Sequence, residues 1–192
     1  MFGFGKKKKT YFASKVLMTR EALDRLLVNC LRDKRYMLIS FFPATRNELL
    51  KKINDASAEE FIIPADKIIN GNAVPRIHSF VSAGGKLALA ERYPLKANEL
   101  QVAEKLEANG IPFPIDAYSA LNDAFMLQAG GEKIQSLMQR MGMTEDEIIA
   151  HSMIESSIEK FQEKIAAKIT FESHAQSGAE WFRINLPQQL NL

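Results

Sequence analysis

Residues 36–64 read YMLISFFPATRNELLKKINDASAEEFIIP. Tyr36 to Phe42 is an almost continuous apolar run, long enough for a strand buried on both faces. Pro43 ends it, because proline has no N–H for a central ladder. Thr45-Arg-Asn-Glu48 has the spacing of a capping box and predicts a helix from there to about Ile53. Phe61 to Ile63 is a short second strand, stopped by Pro64. Strand, helix and strand at this spacing make a βαβ unit, which implies a parallel sheet with right-handed crossovers.

Upstream, Thr19 is placed to cap a helix running to about Asp33, with Leu23, Leu26, Leu27, Cys30 and Leu31 as its buried stripe. Downstream, Asn70-Gly71-Asn72 signals a turn, residues 74–82 fit a short strand or a loop, and Ala83-Gly84-Gly85 is a break. Lys86 to Glu91 reads as a strand and Ala97 to Ala108 as a helix stopped by Gly110. Pro112 and Pro114 place the segment 111–118 at a sheet edge. After Gly130-Gly131 the pattern turns helical, with Ile134, Leu137, Met138 and Met141 at helical spacing. Thr144 to Glu147 forms a second capping box ahead of an amphipathic stripe of Ile154, Ile158, Phe161, Ile165 and Ile169. That stripe needs burial, in this chain or against a partner helix. Trp181 and Phe182 are expected to fold back onto the body.

Length and composition point to one globular body with a helical region, at 192 residues, 46% apolar and 25% charged. Cys30 is the single cysteine, which excludes an internal disulfide and fits a reducing, cytoplasmic setting. No apolar run approaches membrane-spanning length. The net charge of +2 comes from Lys6, Lys7, Lys8 and Lys9; without these four the chain carries two net negative charges. That balance argues against nucleic acid as a partner. The opening MFGFGKKKK is expected to be a solvated tail. Its weak functional alternative is contact with anionic lipid through Phe2, Phe4 and Lys6 to Lys9, a membrane-peripheral role lost in high salt.

The segment GGEKIQSLMQRMGMTEDEIIAHSMIESSIEKFQEKI (130–165) resembles SecA, the preprotein translocase ATPase family, where the second nucleotide-binding fold passes into the helical scaffold. YSALNDAFM before it is similar to the strand and acidic turn that precede that passage. LMTREALDRLLVNCLRDKRYMLISFFPATRNELLKKI (17–53), FIIPADKI (61–68) and LALAERYPLKANELQ (87–101) extend the resemblance more loosely, to about residues 15–168. It implies an α/β, RecA-like (P-loop NTPase-like) three-layer parallel sheet with a C-terminal helical extension. The implied organisation is a basic disordered tail over 1–12, a RecA-like region over 13–130 and helices over 131–192.

The resemblance stops short of the chemistry. No G-x-x-x-x-G-K-[ST] occurs. The Gly-rich, acid-containing loop of the second fold is reduced to Ser82-Ala-Gly-Gly85. Where the family carries its arginine-rich motif, this chain has KANELQVAEKLEANG (96–110), without arginine. An arginine finger is worth about a thousandfold or more in phosphoryl transfer. The expectation is therefore a non-catalytic SecA-like module with no cofactor and no metal. Its partner would be protein: translocation machinery, a SecA-like chain or a second copy, met through the stripe Ile154 to Ile169. The alternative is a nucleotide half-site completed by a chain with a P-loop, with Arg46, Arg76 and Arg92 as the candidate contacts. His78, His151 and His174 lack metal-ligand spacing. Asp116 and Asp123 are a carboxylate pair of unfixed separation.

Overall fold

The computed structural model describes residues 9–186. Five strands, β1 (Phe12–Leu17), β2 (Tyr36–Ser40), β3 (Ile62–Pro64), β4 (Lys86–Leu89) and β5 (Ile115–Ala120), form one sheet in the order β1-β5-β4-β2-β3. Every pairing is parallel. The connections carry α1 (Arg20–Arg32), α2 (Pro43–Ile53), a 3-10 turn over Ala56–Phe61, α3 (Ala65–Ile69), α4 (Val74–Ser82) and α5 (Lys96–Glu107). After β5 follow α6 (Ala124–Gln128), α7 (Gly131–Arg140), α8 (Ser152–Ala166) and α9 (Gly178–Asn185).

Strand alternation sorts the side chains into two cores. Met37, Ile39, Leu87, Leu89, Ile115 and Ala117 face α3, α4 and α5. Leu38, Ala88, Ala90, Tyr118 and Ala120 face α1 and α2, against Leu23, Leu27, Leu31, Leu49 and Ile53. A parallel sheet buried on both sides is why β2 reads as a continuous apolar run rather than an alternating one. The fold is thus the three-layer, RecA-like α/β arrangement.

A third core lies beyond the C-terminal ends of the strands. Val16, Phe42 and Leu121 there meet Phe125, Ile154, Ile158, Ile165, Trp181 and Phe182 from the C-terminal helices. Gly131 fixes how closely α7 approaches, since a Cβ at this position would sit 2.3 Å from the Leu121 carbonyl oxygen. Trp181 and Phe182 do fold back, and both are buried. Cys30 is buried on α1, and the Thr19 hydroxyl caps that helix through Ala22 N–H (3.2 Å).

Several local expectations change. Residues 74–82 are helical, because Pro75 sits in the first turn, where its missing N–H has no intrahelical role. β5 is interior, flanked by β1 and β4, because both prolines precede its first paired residue and Ile115 N–H is free to reach the Tyr11 carbonyl (2.9 Å). α2 starts at Pro43, two residues before the predicted box, and the Thr45 hydroxyl turns inward instead of capping. The Thr144–Glu147 box closes (N–H to Oε1, 3.2 Å), yet no helix begins there. Ile149 instead pairs with Val16 on the open edge of β1, and α8 starts after His151, whose ring nitrogen accepts from Met153 N–H (3.1 Å).

Candidate functional site

In an open α/β sheet, ligands bind beyond the C-terminal ends of the strands, where successive crossovers leave in opposite directions. Here that point lies between β2 and β4, since β3 flanks β2 on one side and β4 leads to β5 on the other. Two acid-base clusters and an aromatic one occupy this region.

Glu91, two residues after the end of β4, is buried. Its Oε1 accepts from Phe41 N–H (3.0 Å) and Phe42 N–H (2.9 Å), and its Oε2 accepts from the Thr45 hydroxyl. One carboxylate thereby satisfies the turn that joins β2 to α2. Burial pushes its pKa up to about 7, against the opposing pull of Thr45, Phe42, Arg20 and Phe41. A carboxyl with a raised folded-state pKa stabilises the fold below its ordinary value near 4.5. That contribution is lost as pH rises through about 7. Glu91→Gln keeps an oxygen for the two N–H groups and removes the charge. Chemical denaturation at pH 4.5 and pH 8 is expected to show the variant gaining on the parent by more than about 1 kcal/mol at the higher pH. An equal pH response in both proteins would contradict this reading.

Arg92 points the other way, into the α5–α8 side. Its Nε and Nη2 each bond Glu99 at 2.8 Å, its Nη1 bonds the Ser14 hydroxyl at 2.8 Å, and Glu155 of α8 lies at 3.8 Å. Arg92 and Glu99 are 5% and 1% exposed. This fork-to-fork pair joins β4, β1, α5 and α8. Arg46 pairs with Glu59 at the surface, and Arg76 is exposed on α4 beside Pro64 and Lys67. The three arginines are not gathered into one site, and Arg92 is engaged inside the chain.

The aromatic cluster centres on Tyr93, stacked on Phe42 (centroids 5.2 Å apart) and edge-on to Trp181 (6.3 Å). Glu172 accepts from the Tyr93 hydroxyl and from Trp181 Nε1 (2.6 Å). Burial, reinforced by Glu172, raises the Tyr93 pKa. Gln162 of α8 donates to the Tyr93 carbonyl (2.9 Å). The C-terminal helices are thus held across the strand ends by hydrogen bonds as well as by apolar contact.

The stripe Ile154, Ile158, Phe161, Ile165 and Ile169 belongs to this third core. Ile154, Ile158 and Ile165 are buried, and Phe161 and Ile169 are half-buried against it. Of the two expected ways of covering the stripe, the chain itself supplies the cover. Other apolar side chains of this region are exposed, among them Leu137 (51%) and Met141 (67%) on and just after α7, Met153 (70%) at the start of α8 and Phe171 (81%) after it.

Phe2, Phe4, Lys6, Lys7 and Lys8 lie outside the described residues. Lys9 pairs with Glu107 and lies over the Tyr11 ring (5.2 Å). Asp116 faces Lys15 (4.0 Å), whereas Asp123 accepts from Ala120 N–H (2.9 Å) and faces Arg20 (3.5 Å). These two carboxylates serve different elements. Among the described residues no three His, Cys, Asp or Glu side chains gather for a metal. No described helix is long and apolar enough to cross a membrane.

No family model matches the chain. The translocase subunit SecA of Christiangramia forsetii is 38% identical over 87 residues, 44% of this chain and 8% of that protein. SecA of Flavobacterium psychrophilum is 34% identical over 87 residues, again 44% and 8%. SecA of Brachyspira hyodysenteriae is 30% identical over 124 residues, 63% of this chain and 12% of the relative. The chain therefore carries a SecA-like region, on the same α/β fold described above. The aligned part amounts to about a tenth of these relatives' length.

Proposed function

We propose that this is a non-catalytic SecA-like protein, a protein-interaction or regulatory module of preprotein translocation. The observation that carries the reading is the occupancy of the strand ends. Phe42, Tyr93 and Trp181 are packed together there, and Arg92 is committed to Glu99. What remains for action is surface, and α7 provides it. This helix buries only Gly131, half-buries Ile134 and Met138 against the third core, and leaves Leu137 and Met141 in solvent. Flexible methionine-rich faces suit adaptable contact with a partner helix.

The relatives bear the name of a translocase subunit, so SecA itself is the first partner to test. Calorimetric titration of the full chain with purified SecA is expected to give saturable binding. Leu137→Glu/Met141→Glu should weaken it at least tenfold while leaving the unfolding free energy within about 0.5 kcal/mol, as for other exposed positions. Absence of binding by the parent, or equal binding by the variant, would overturn the proposal.

A further inference from the structure

We infer that the exposed face of α7 receives an acidic amphipathic helix of a partner protein, one that carries carboxylates beside its apolar stripe. This rests on the reading above of α7 as the docking face and adds the chemistry of what docks. Lys133, Leu137, Arg140 and Met141 are all exposed. At 3.6 residues per turn they fall within about 100° of one another around the helix axis. Two cations thus stand beside two apolar side chains on one continuous face. Glu132, the single acid of α7, lies about 80° further round from Arg140, on the side away from Leu137.

Neither cation is neutralised within the described chain. Side chains three or four residues apart meet on a helix. The positions so placed are Ala129, Gly130, Ser136 and Leu137 for Lys133, and Ser136, Leu137, Met143 and Thr144 for Arg140. None is acidic, whereas Arg20 has Asp24 and Arg183 has Glu180 at such spacings. Nor does another element supply a carboxylate, since among the described residues Lys133 and Arg140 form no ion pair. In the acidic run after α7, Asp146 is held by Arg25 (2.6 Å), Glu147 accepts from Thr144 N–H (3.2 Å), and Glu145 is exposed. Unpaired charge beside an apolar stripe selects the sign of a partner helix, because a like-charged one is repelled. A second copy of this chain, docked face to face, would set cation against cation. An anionic membrane is also a poorer match, since lipid-binding basic clusters run to about four or more residues and this face has two. A helix with carboxylates beside an apolar stripe meets both features at once.

The test uses the full chain and two synthetic helix-forming peptides that share one leucine stripe, flanked in the first by glutamate and in the second by lysine. The glutamate peptide is expected to bind saturably and the lysine peptide at least tenfold more weakly, with the difference shrinking in high salt. Lys133→Gln/Arg140→Gln removes both charges at exposed positions and should bring the two peptides within about threefold of each other. Lys133→Glu/Arg140→Glu should reverse the preference. No binding of the glutamate peptide, or an unchanged preference in Lys133→Gln/Arg140→Gln, would overturn the assignment. Titration with SecA separates this from the reading it rests on. Binding lost in Leu137→Glu/Met141→Glu but undiminished in Lys133→Gln/Arg140→Gln would keep α7 as the docking face and overturn the acidic partner. Absence of SecA binding beside the full peptide preference would uphold the acidic helix and remove SecA as the partner. Vesicles of phosphatidylglycerol form the last arm: tighter binding to them than to the glutamate peptide, lost in Lys133→Gln/Arg140→Gln, would overturn the assignment in favour of a membrane.

Discussion

Arg92→Met is expected to destabilise the protein by about 3–5 kcal/mol, the range for breaking one side of a buried ion pair. The substitution strands the Glu99 carboxylate, 1% exposed, with the Tyr93 N–H (2.9 Å) still donating to it but no positive charge beside it in the pair. It also removes the partner of the Ser14 hydroxyl. The loss comes from the uncompensated charge more than from the pair itself. Arg92→Met/Glu99→Leu should therefore recover much of it, since apolar replacements of a buried pair are often neutral or better. Urea denaturation of the parent, both single variants and the double variant gives the coupling directly. A single-variant loss below about 1 kcal/mol would show that the pair is not carrying the β4–α5–α8 junction.

Trp181→Ala is the second large effect, with an expected cost of about 3–5 kcal/mol for emptying a fully buried aromatic site. The indole packs edge-on to Phe182 (5.2 Å) and Tyr93, and its N–H is bound by Glu172. Removing it opens a cavity between the strand ends and the C-terminal helices, and leaves Glu172 with Tyr93 and Asn98 (3.4 Å) as partners. Neither of the two sheet-facing cores includes Trp181. The loss should therefore be local. Hydrogen exchange is expected to rise throughout α8 and α9 while β2 and β4 keep their protection. Uniform loss of protection across the sheet would mean that the third core is not a separable layer.

The parts of this architecture that were legible in the sequence are those fixed by local pattern. The apolar run at Tyr36, the Thr19 cap, the helix α5 with its Gly110 stop and the parallel βαβ unit each follow from periodicity or a turn signal. β1 was not legible, because FASKVL alternates too weakly for a strand at the sheet edge and becomes one only through β5 and Ile149. The central place of β5 was hidden by prolines that stand just outside the ladder. The candidate site was less legible still. Arg92 was visible only as a candidate contact, and it and its neighbour Glu91 go to different partners, Glu99 and the Phe41–Thr45 turn. Those contacts span 7 to 50 residues and depend on strand order, which residue spacing does not encode. Glu172, the hub under Tyr93 and Trp181, gives no sequence signal, since a lone acid in a polar stretch is ordinarily solvated.

The central claim is that a SecA-like fold here acts without the chemistry of an ATPase. Titrating the full chain with ATP and magnesium, while following phosphate release, tests it most directly. The account predicts no turnover above the uncatalysed rate and no micromolar binding of ATP. Magnesium-dependent hydrolysis, or saturable ATP binding in the micromolar range, would contradict it.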